Sequence, residues 1–438
     1  MKKYDVIVVG AGVSGLLSAL ALSKEGRKVL ILEKESYVGG VCRSYKVNGY
    51  QVDTGPHAIT RLERGPLRIL MNKYFKITPN FIPFGKYYVR VNERLRPFPW
   101  NLKNWLGFDL LPTKDRLLIM KSLFDNLHLL NAGKDLSTIS LNDVLPDDIS
   151  EITKKFLDWL SYFMVGTSMK NAPISRFIDN KDHMPSSIPY LGRLYNLLMT
   201  EGARDQGYPE GGLQSLINSI LNSFPKNKVE IKTNEEVLKF DSRDGKIKGV
   251  ITKENSYDCN TLIYSGFSSD LPNLINVLPK DYEKNLKNIK RVNSLTLWFG
   301  LTKKIFKNYG SEMWIHSDPY AWVVPISNYD KKLVPKGKQL VGFAFVLPKK
   351  YDLKKVREKA LDSIFSTIPK IEKYIDMIHE QELIPEKASW SINSGFGDVK
   401  TPIKNLYIVG TDAEKRSAGV SRAAYSVLRC LEIMKSDK

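Results

Sequence analysis

The stretch 4–33, YDVIVVGAGVSGLLSALALSKEGRKVLILE, decides how the rest of the chain is read. Its first six residues form a β-branched run suited to a strand buried on both faces. Gly10, Ala11, Gly12, Val13, Ser14 and Gly15 follow at once, and 16–22 continue with Leu and Ala at helical spacing. Gly26 stops that helix, and a second apolar run, 28–32, ends at Glu33. The order strand, glycines, helix, strand, acid makes a complete βαβ unit within about 30 residues. Gly10 allows the tight turn, Gly12 lets a pyrophosphate approach backbone amides, and Gly15 lets helix and strand pack closely. The helix start offers free N–H groups and the positive end of the helix dipole, and Ala11, Val13 and Ser14 join the glycines as candidate cofactor-binding residues. Glu33, with Lys34 beside it, is placed to accept the hydroxyls of an adenosine ribose. A carboxylate there repels a 2′-phosphate, so NADP fits poorly. The expected fold is α/β, with a Rossmann-like domain that binds a dinucleotide.

The whole chain is compatible with that start. Its 438 residues are enough for two or three units with a sizeable core. A 42% hydrophobic and 26% charged composition excludes collagen, a disordered chain and a disulfide scaffold. Three cysteines, at 42, 259 and 430, share no local spacing, which fits a reducing, cytoplasmic setting and excludes zinc fingers and CxxC pairs. Five scattered histidines give no metal-ligand cluster, so no metal is expected. The net charge of +19 is spread along the chain without an Arg-rich stripe, so no nucleic-acid partner is expected. Peripheral contact with anionic membrane remains open on the same charge. The uncharged run 6–22 follows Lys2-Lys3 much as a leader would, yet its glycines mark it as the start of a folded domain.

Six residues after Glu33 comes Gly39-Gly40-Val41-Cys42-Arg43-Ser44. An acid followed by Gly-Gly-x-x-Arg-Ser/Thr resembles the flavoproteins that include phytoene desaturases, protoporphyrinogen oxidases and amine oxidases. Gly49-Tyr50-Gln51-Val52-Asp53-Thr54-Gly55-Pro56-His57 resembles the stretch of that family running beside the flavin ring. Tyr208-Pro209-Glu210-Gly211-Gly212-Leu213 resembles its later helix entry. Leu406-Tyr407-Ile408-Val409-Gly410, capped by Thr411-Asp412 and followed by a helix from Gly419-Val420, resembles its closing motif. The resemblance implies non-covalent FAD on a glutathione-reductase-like Rossmann domain with an inserted α+β substrate-binding domain. It implies that Gly39, Gly40, Val41, Arg43, Ser44, Gly55, Pro56 and His57 line the cofactor, with Arg43 balancing phosphate charge or facing the flavin. Val237 is the candidate to hold adenine through backbone amides, and either Thr411 or Asp412 the candidate for the ribityl chain. Gly419 and Val420 would turn a helix start toward the isoalloxazine oxygen. His57 is the catalytic candidate, and a structural histidine is its alternative.

The matching pieces divide the chain into 1–75, 205–265 and 385–438 for FAD, with 76–204 and 266–384 as substrate or cap domain. Gly395-Phe396-Gly397 has no following helix or acid, so no second dinucleotide site is expected. The flavin would then take hydride from the substrate and pass electrons to oxygen, a quinone or another carrier. Aromatics in the gaps, such as Phe156, Trp159, Tyr162 and Phe163, suit a large apolar substrate and equally an ordinary core. The desaturase-like reading, a dehydrogenase acting on an isoprenoid-like substrate, leads. Protoporphyrinogen oxidase-like and amine oxidase-like oxidases are its alternatives, as is a redox-neutral UDP-galactopyranose mutase-like enzyme. That mutase reading is weakened because its Gly-Arg-x-Gly motif is missing at 410–420. A carrier resembling the Rab GDP-dissociation inhibitors is the non-enzymatic rival.

Overall fold

A computed structural model describes residues 3–55, 57–178 and 205–437. The opening stretch forms strand β1 (Lys3–Val9), helix α1 (Val13–Lys24) and strand β2 (Val29–Leu32). Val6, Ile7, Val8 and the whole of β2 are essentially without exposure, as a parallel strand covered on both faces must be. β1 runs parallel to β2 on one side, with Val9 opposite Leu32, and to Ser256–Tyr264 on the other, with Val9 opposite Tyr264. Val229–Lys232 extends the sheet beyond β2, again parallel. Ser256–Tyr264 changes partner along its length. Its first half pairs antiparallel with Lys246–Thr252, which turns at Asp244-Gly245 onto Val237–Arg243. Its second half pairs parallel with Leu406–Ile408. Five parallel strands therefore end at one edge, and Gly10, Glu33, Ser265 and Gly410 emerge there from four of them.

α1 covers this sheet with nearly every residue buried, because helices Pro66–Tyr74 and Gly419–Ser436 pack on its outer side. Its serines satisfy themselves locally, Ser18 Oγ donating to the Ser14 carbonyl at 2.8 Å.

A second sheet runs Ile375–Glu386, Val292–Leu301, Gln339–Val346, Ala321–Val324, Ser311–Trp314, Tyr87–Val91 and Arg94–Pro97. Only the Ser311–Trp314 and Tyr87–Val91 pair is parallel. Period-two alternation splits its faces. Leu295, Leu297 and Phe299 pack with Phe343, Phe345 and Ile364 under helix Leu353–Thr367. Trp298 points the other way, into a core shared with Tyr50, Val52, Tyr208 and the helices Thr113–Asn131 and Glu151–Val165.

The cores divide the chain differently from the sequence segments. Leu271, Ile275, Leu286 and Ile289, expected on the substrate side, belong to the first core, and Tyr50, Val52 and Tyr208, expected on the nucleotide side, belong to the second. These segments lie at the seam, and side-chain direction decides which core each residue joins.

The closest backbone approach in the molecule's nucleotide half is at Gly15, where a Cβ would stand 2.1 Å from the Gly10 carbonyl oxygen and 3.2 Å from Ser265 Cβ. Gly15→Ala is expected to lower stability by about 3 kcal/mol, the upper range for overpacking, whereas Gly12→Ala, whose Cβ would meet no protein atom within 4 Å, leaves the fold intact. Chemical denaturation of both variants checks this, and equal midpoints would contradict it.

Candidate functional site

The turn from β1 into α1 leaves space that packing does not fill. Gly10 takes φ +98°, a left-handed conformation natural to glycine. Gly12 caps the helix in extended conformation with open space above its Cα. Val13 and Ser14 are buried behind it, and Ser14 Oγ lies 2.9 Å from Ser265 Oγ. The Glu33 carboxylate, 8% exposed, accepts the Ala11 N–H at 2.7 Å and the Glu35 N–H at 3.0 Å. Two backbone amides thus hold it at the carboxyl end of β2, with lone pairs left for a diol. Lys34 is exposed beside Glu35, away from this grip. Val237 begins the neighbouring strand opposite Thr252, and the Glu235 N–H donates to the Glu33 carbonyl at 2.9 Å.

The Gly39-Gly40 segment lies directly on this turn. The Gly39 N–H donates to the Ala11 carbonyl at 2.8 Å, and a Cβ on Gly40 would stand 3.3 Å from the Gly12 Cα. Val41 is exposed, and Gly55 packs onto its carbonyl. Pro56 lies outside the described residues. The Arg43 guanidinium stacks over Tyr37, 3.6 Å from the ring centroid, with Tyr45 at 4.9 Å. The Cys42 thiol is buried, and burial together with Asp53 pushes its pKa up to about 12, so it is a poor nucleophile for covalent attachment.

The hairpin β3 (Ser44–Val47) and β4 (Tyr50–Asp53) delivers Asp53 to the start of helix Leu213–Leu221. This carboxylate is 1% exposed and accepts from Ser44 Oγ (2.5 Å), Tyr208 Oη (2.5 Å) and the Leu213 N–H (3.3 Å). The helix dipole favours an anion there. His57 sits above this network, its Nε2 3.9 Å from Asp53 Oδ2 and without a hydrogen-bond partner among the described residues. Its ring meets Trp298 edge-on at 5.4 Å and Tyr208 at 6.4 Å. Burial lowers the His57 pKa below the usual imidazole range, and Asp53 opposes this.

At the carboxyl end, Gly410 follows Leu406–Ile408, and its N–H donates to Ser426 Oγ at 2.9 Å. Thr411 Oγ1 accepts the Lys387 N–H at 3.0 Å. Asp412 is 1% exposed, with Oδ2 accepting the Ser268 N–H at 2.6 Å and Oδ1 buried without a partner among the described residues. Of the two residues, Asp412 is the one with a spare buried acceptor. The helix start at Gly419-Val420 differs from the sequence expectation, because the Gly419 N–H already donates to Glu386 Oε1 at 2.5 Å. Arg422 Nη1 reaches Glu386 Oε2 at 3.3 Å. Glu386 ends a strand far away in sequence, so nothing local to Gly419 announced this carboxylate. Asp53 and Tyr208 were visible inside their motifs without a function attached, and Lys387 carried no sequence signal at all.

Comparison with known proteins agrees with this architecture. Residues 8–74 match the NAD(P)-binding Rossmann-like domain family. The chain is 54% identical over 101 residues, 23% of its length and 97% of the relative, to a protein from the nifH2 3′ region of Methanothermococcus thermolithotrophicus. It is 23% identical over 391 residues to a 1-hydroxycarotenoid 3,4-desaturase of Flavobacterium sp. (strain P99-3), covering 77% of this chain and 75% of that one. An oxidoreductase structure from Methanosarcina mazei superposes with TM-score 0.77 at 20% identity, over 98% of this chain and 100% of that one. A putrescine oxidase triple mutant superposes with TM-score 0.73 at 14% identity, over 100% and 99%. With the βαβ turn, the acid at Glu33 and the Gly39-Gly40 segment in place, the chain carries a NAD(P)-binding Rossmann-like domain at 8–74, shares its fold over nearly its whole length with the solved oxidoreductase and putrescine oxidase structures, and has a carotenoid desaturase among its relatives.

Proposed function

We propose that the chain holds FAD non-covalently along the edge where β1, β2, Ser256–Tyr264 and Leu406–Ile408 end, and that it dehydrogenates a large apolar, isoprenoid-like substrate. The observation that carries the reading is the pairing of open space at Gly12 with a fixed carboxylate at Glu33 on one side and the unpartnered Asp412 Oδ1 on the other. These features suit, in order, a diphosphate, an adenosine ribose and a polyhydroxylated chain. Bound FAD supplies an acceptor for hydride.

The chain's own residues do the rest. Glu33 receives the ribose hydroxyls, the α1 amides receive phosphate oxygens, and Asp412 orients the ribityl chain. His57 presents a neutral imidazole whose Nε2 is free to accept a proton, backed by Asp53. The Trp298 face of the second sheet continues into a wall of Tyr87, Trp100, Phe163 and Trp322, with Phe163 and Trp322 4.4 Å apart and Tyr87 5.4 Å from Trp100. The last three of these rings are only partly buried, as a surface meant to take an apolar chain would be, whereas Phe156 and Trp159 are ordinary core. Electrons leave to oxygen, a quinone or another carrier. The +19 charge would hold the protein against anionic membrane from the cytoplasmic side, where such substrates reside. Among the described residues no helix is long and apolar enough to cross that membrane.

Glu33→Lys and Gly12→Asp are expected to weaken FAD binding by at least about 100-fold, a loss of roughly 3 kcal/mol; thermal stability stays near that of the unmodified protein in Gly12→Asp and falls in Glu33→Lys, where the Ala11 and Glu35 amides lose their acceptor. Reconstitution followed by flavin fluorescence reads this, and unchanged affinity in both variants would refute the placement. The pH dependence tests His57. Because burial lowers its pKa, the folded protein favours the neutral ring, and stability falls as pH drops below the ordinary imidazole range. His57→Gln should show a smaller loss of melting temperature between neutral and mildly acidic pH. An identical acid loss in both proteins would contradict the burial of an uncharged His57.

A further inference from the structure

The Rossmann unit accounts for the amides that meet a diphosphate, and it leaves the diphosphate's charge unmatched. Arg43, the cation of the Gly39-Gly40 segment that lies on this turn, is engaged in stacking on Tyr37. Strand Ile375–Glu386 crosses from the second sheet and ends beside the nucleotide sheet, placing Lys387 at the carboxyl edge. The Lys387 backbone is pinned by Thr411. Its Nζ donates to the carbonyls of Ser265 (2.6 Å) and Gly266 (2.7 Å), the residues that follow Ser256–Tyr264.

Those carbonyls adjoin the phosphate turn. A Cβ on Gly10 would lie 3.2 Å from the Ser265 carbonyl carbon, and a Cβ on Gly410 would lie 3.1 Å from Lys387 Nζ and 2.8 Å from Asp412 Oδ1. The ammonium therefore sits at the ends of two parallel strands, Ser256–Tyr264 and Leu406–Ile408, and the Ser265 carbonyl that it holds is the one that packs against the Gly10 turn. Two of its three N–H donors are used by carbonyls, and among the described residues it forms no ion pair. A sunken cation without an ion pair is costly as a mere tie between segments, and an anion that completes its third N–H removes that cost.

We propose that Lys387 is a cofactor-anchoring residue, whose ammonium supplies the fixed counter-charge for the diphosphate of the dinucleotide seated at the start of α1. The inference rests on the dinucleotide part of the proposed function, not on the flavin or the substrate. Burial holds the Lys387 pKa below the ordinary lysine range, against the pull of Asp412. Arg291 lowers it further, while Glu33 and Asp270 raise it. Diphosphate binding would restore the proton, so binding at mildly alkaline pH should take up protons.

The test is calorimetric titration of the full-length protein, stripped of nucleotide, with ADP and with FAD, each in two buffers of different ionisation enthalpy. For Lys387→Met, the expected result is an ADP and FAD affinity at least about tenfold weaker and no proton uptake, with Lys387→Arg recovering most of the affinity. Equal ADP affinity in the unmodified protein and Lys387→Met would overturn the inference. So would a Lys387→Arg variant that binds ADP no better than Lys387→Met, since the arginine keeps the cation. An unmodified protein that binds ADP through Lys387 but not FAD would uphold this inference and sink the flavin reading instead.

Discussion

The constraint on which everything else depends is the contact between α1 and the end of β1, where Gly15 passes so close to the Gly10 carbonyl that no side chain fits between them. That contact draws the helix start down onto the strand end. It points the first helical amides at the space above Gly12 and brings Ser14 to Ser265. Once the helix is seated there, the register of the parallel strands brings Glu33, Ser265 and Gly410 out at the same edge. The binding crevice is thus a consequence of strand ends held in line, and ligands of open α/β sheets lie at such edges for this reason.

The second sheet makes a place for chemistry next to that crevice by alternation. Successive residues of Val292–Leu301 face opposite ways, so Leu297 and Phe299 can be plain core while Trp298 meets His57. The buried Asp53 ties the two halves together, because its oxygens join the β3–β4 hairpin, Tyr208 and the start of helix Leu213–Leu221. A buried carboxylate with several donors is rigid, and rigidity is what positions a neutral imidazole. Strand Ile375–Glu386 of the second sheet carries Glu386 to the last helix and delivers Lys387 to the Ser265 carbonyl at the edge of the first sheet. The edges of the two sheets therefore share one structural member.

The parts of the fold governed by local pattern were legible in the sequence. The β1–α1–β2 unit, the Asp244-Gly245 hairpin and the Leu295–Phe299 strand announce themselves through period, glycine placement and turn residues. What was not legible depends on groups far apart in the chain. Tyr208 meets Asp53 and Lys387 meets Ser265 only because strands from distant segments are brought into line. The same reason explains the Gly419 amide, which looked free as a helix start and is taken by Glu386. Arg43 was assigned a choice of phosphate or flavin, and its stacking on Tyr37 could not be foreseen from a six-residue motif. The choice between Thr411 and Asp412 also needed coordinates, since only burial and hydrogen-bond partners distinguish two adjacent acceptors.

The central claim is that this edge carries a tightly held, non-covalent FAD. The most direct measurement is the near-ultraviolet and visible absorption spectrum of the purified protein, with chromatography of whatever nucleotide denaturation releases. The account predicts the two flavin absorption bands and FAD as the released nucleotide. A colourless protein that also fails to take up added FAD would contradict it and would favour a carrier built on the same fold.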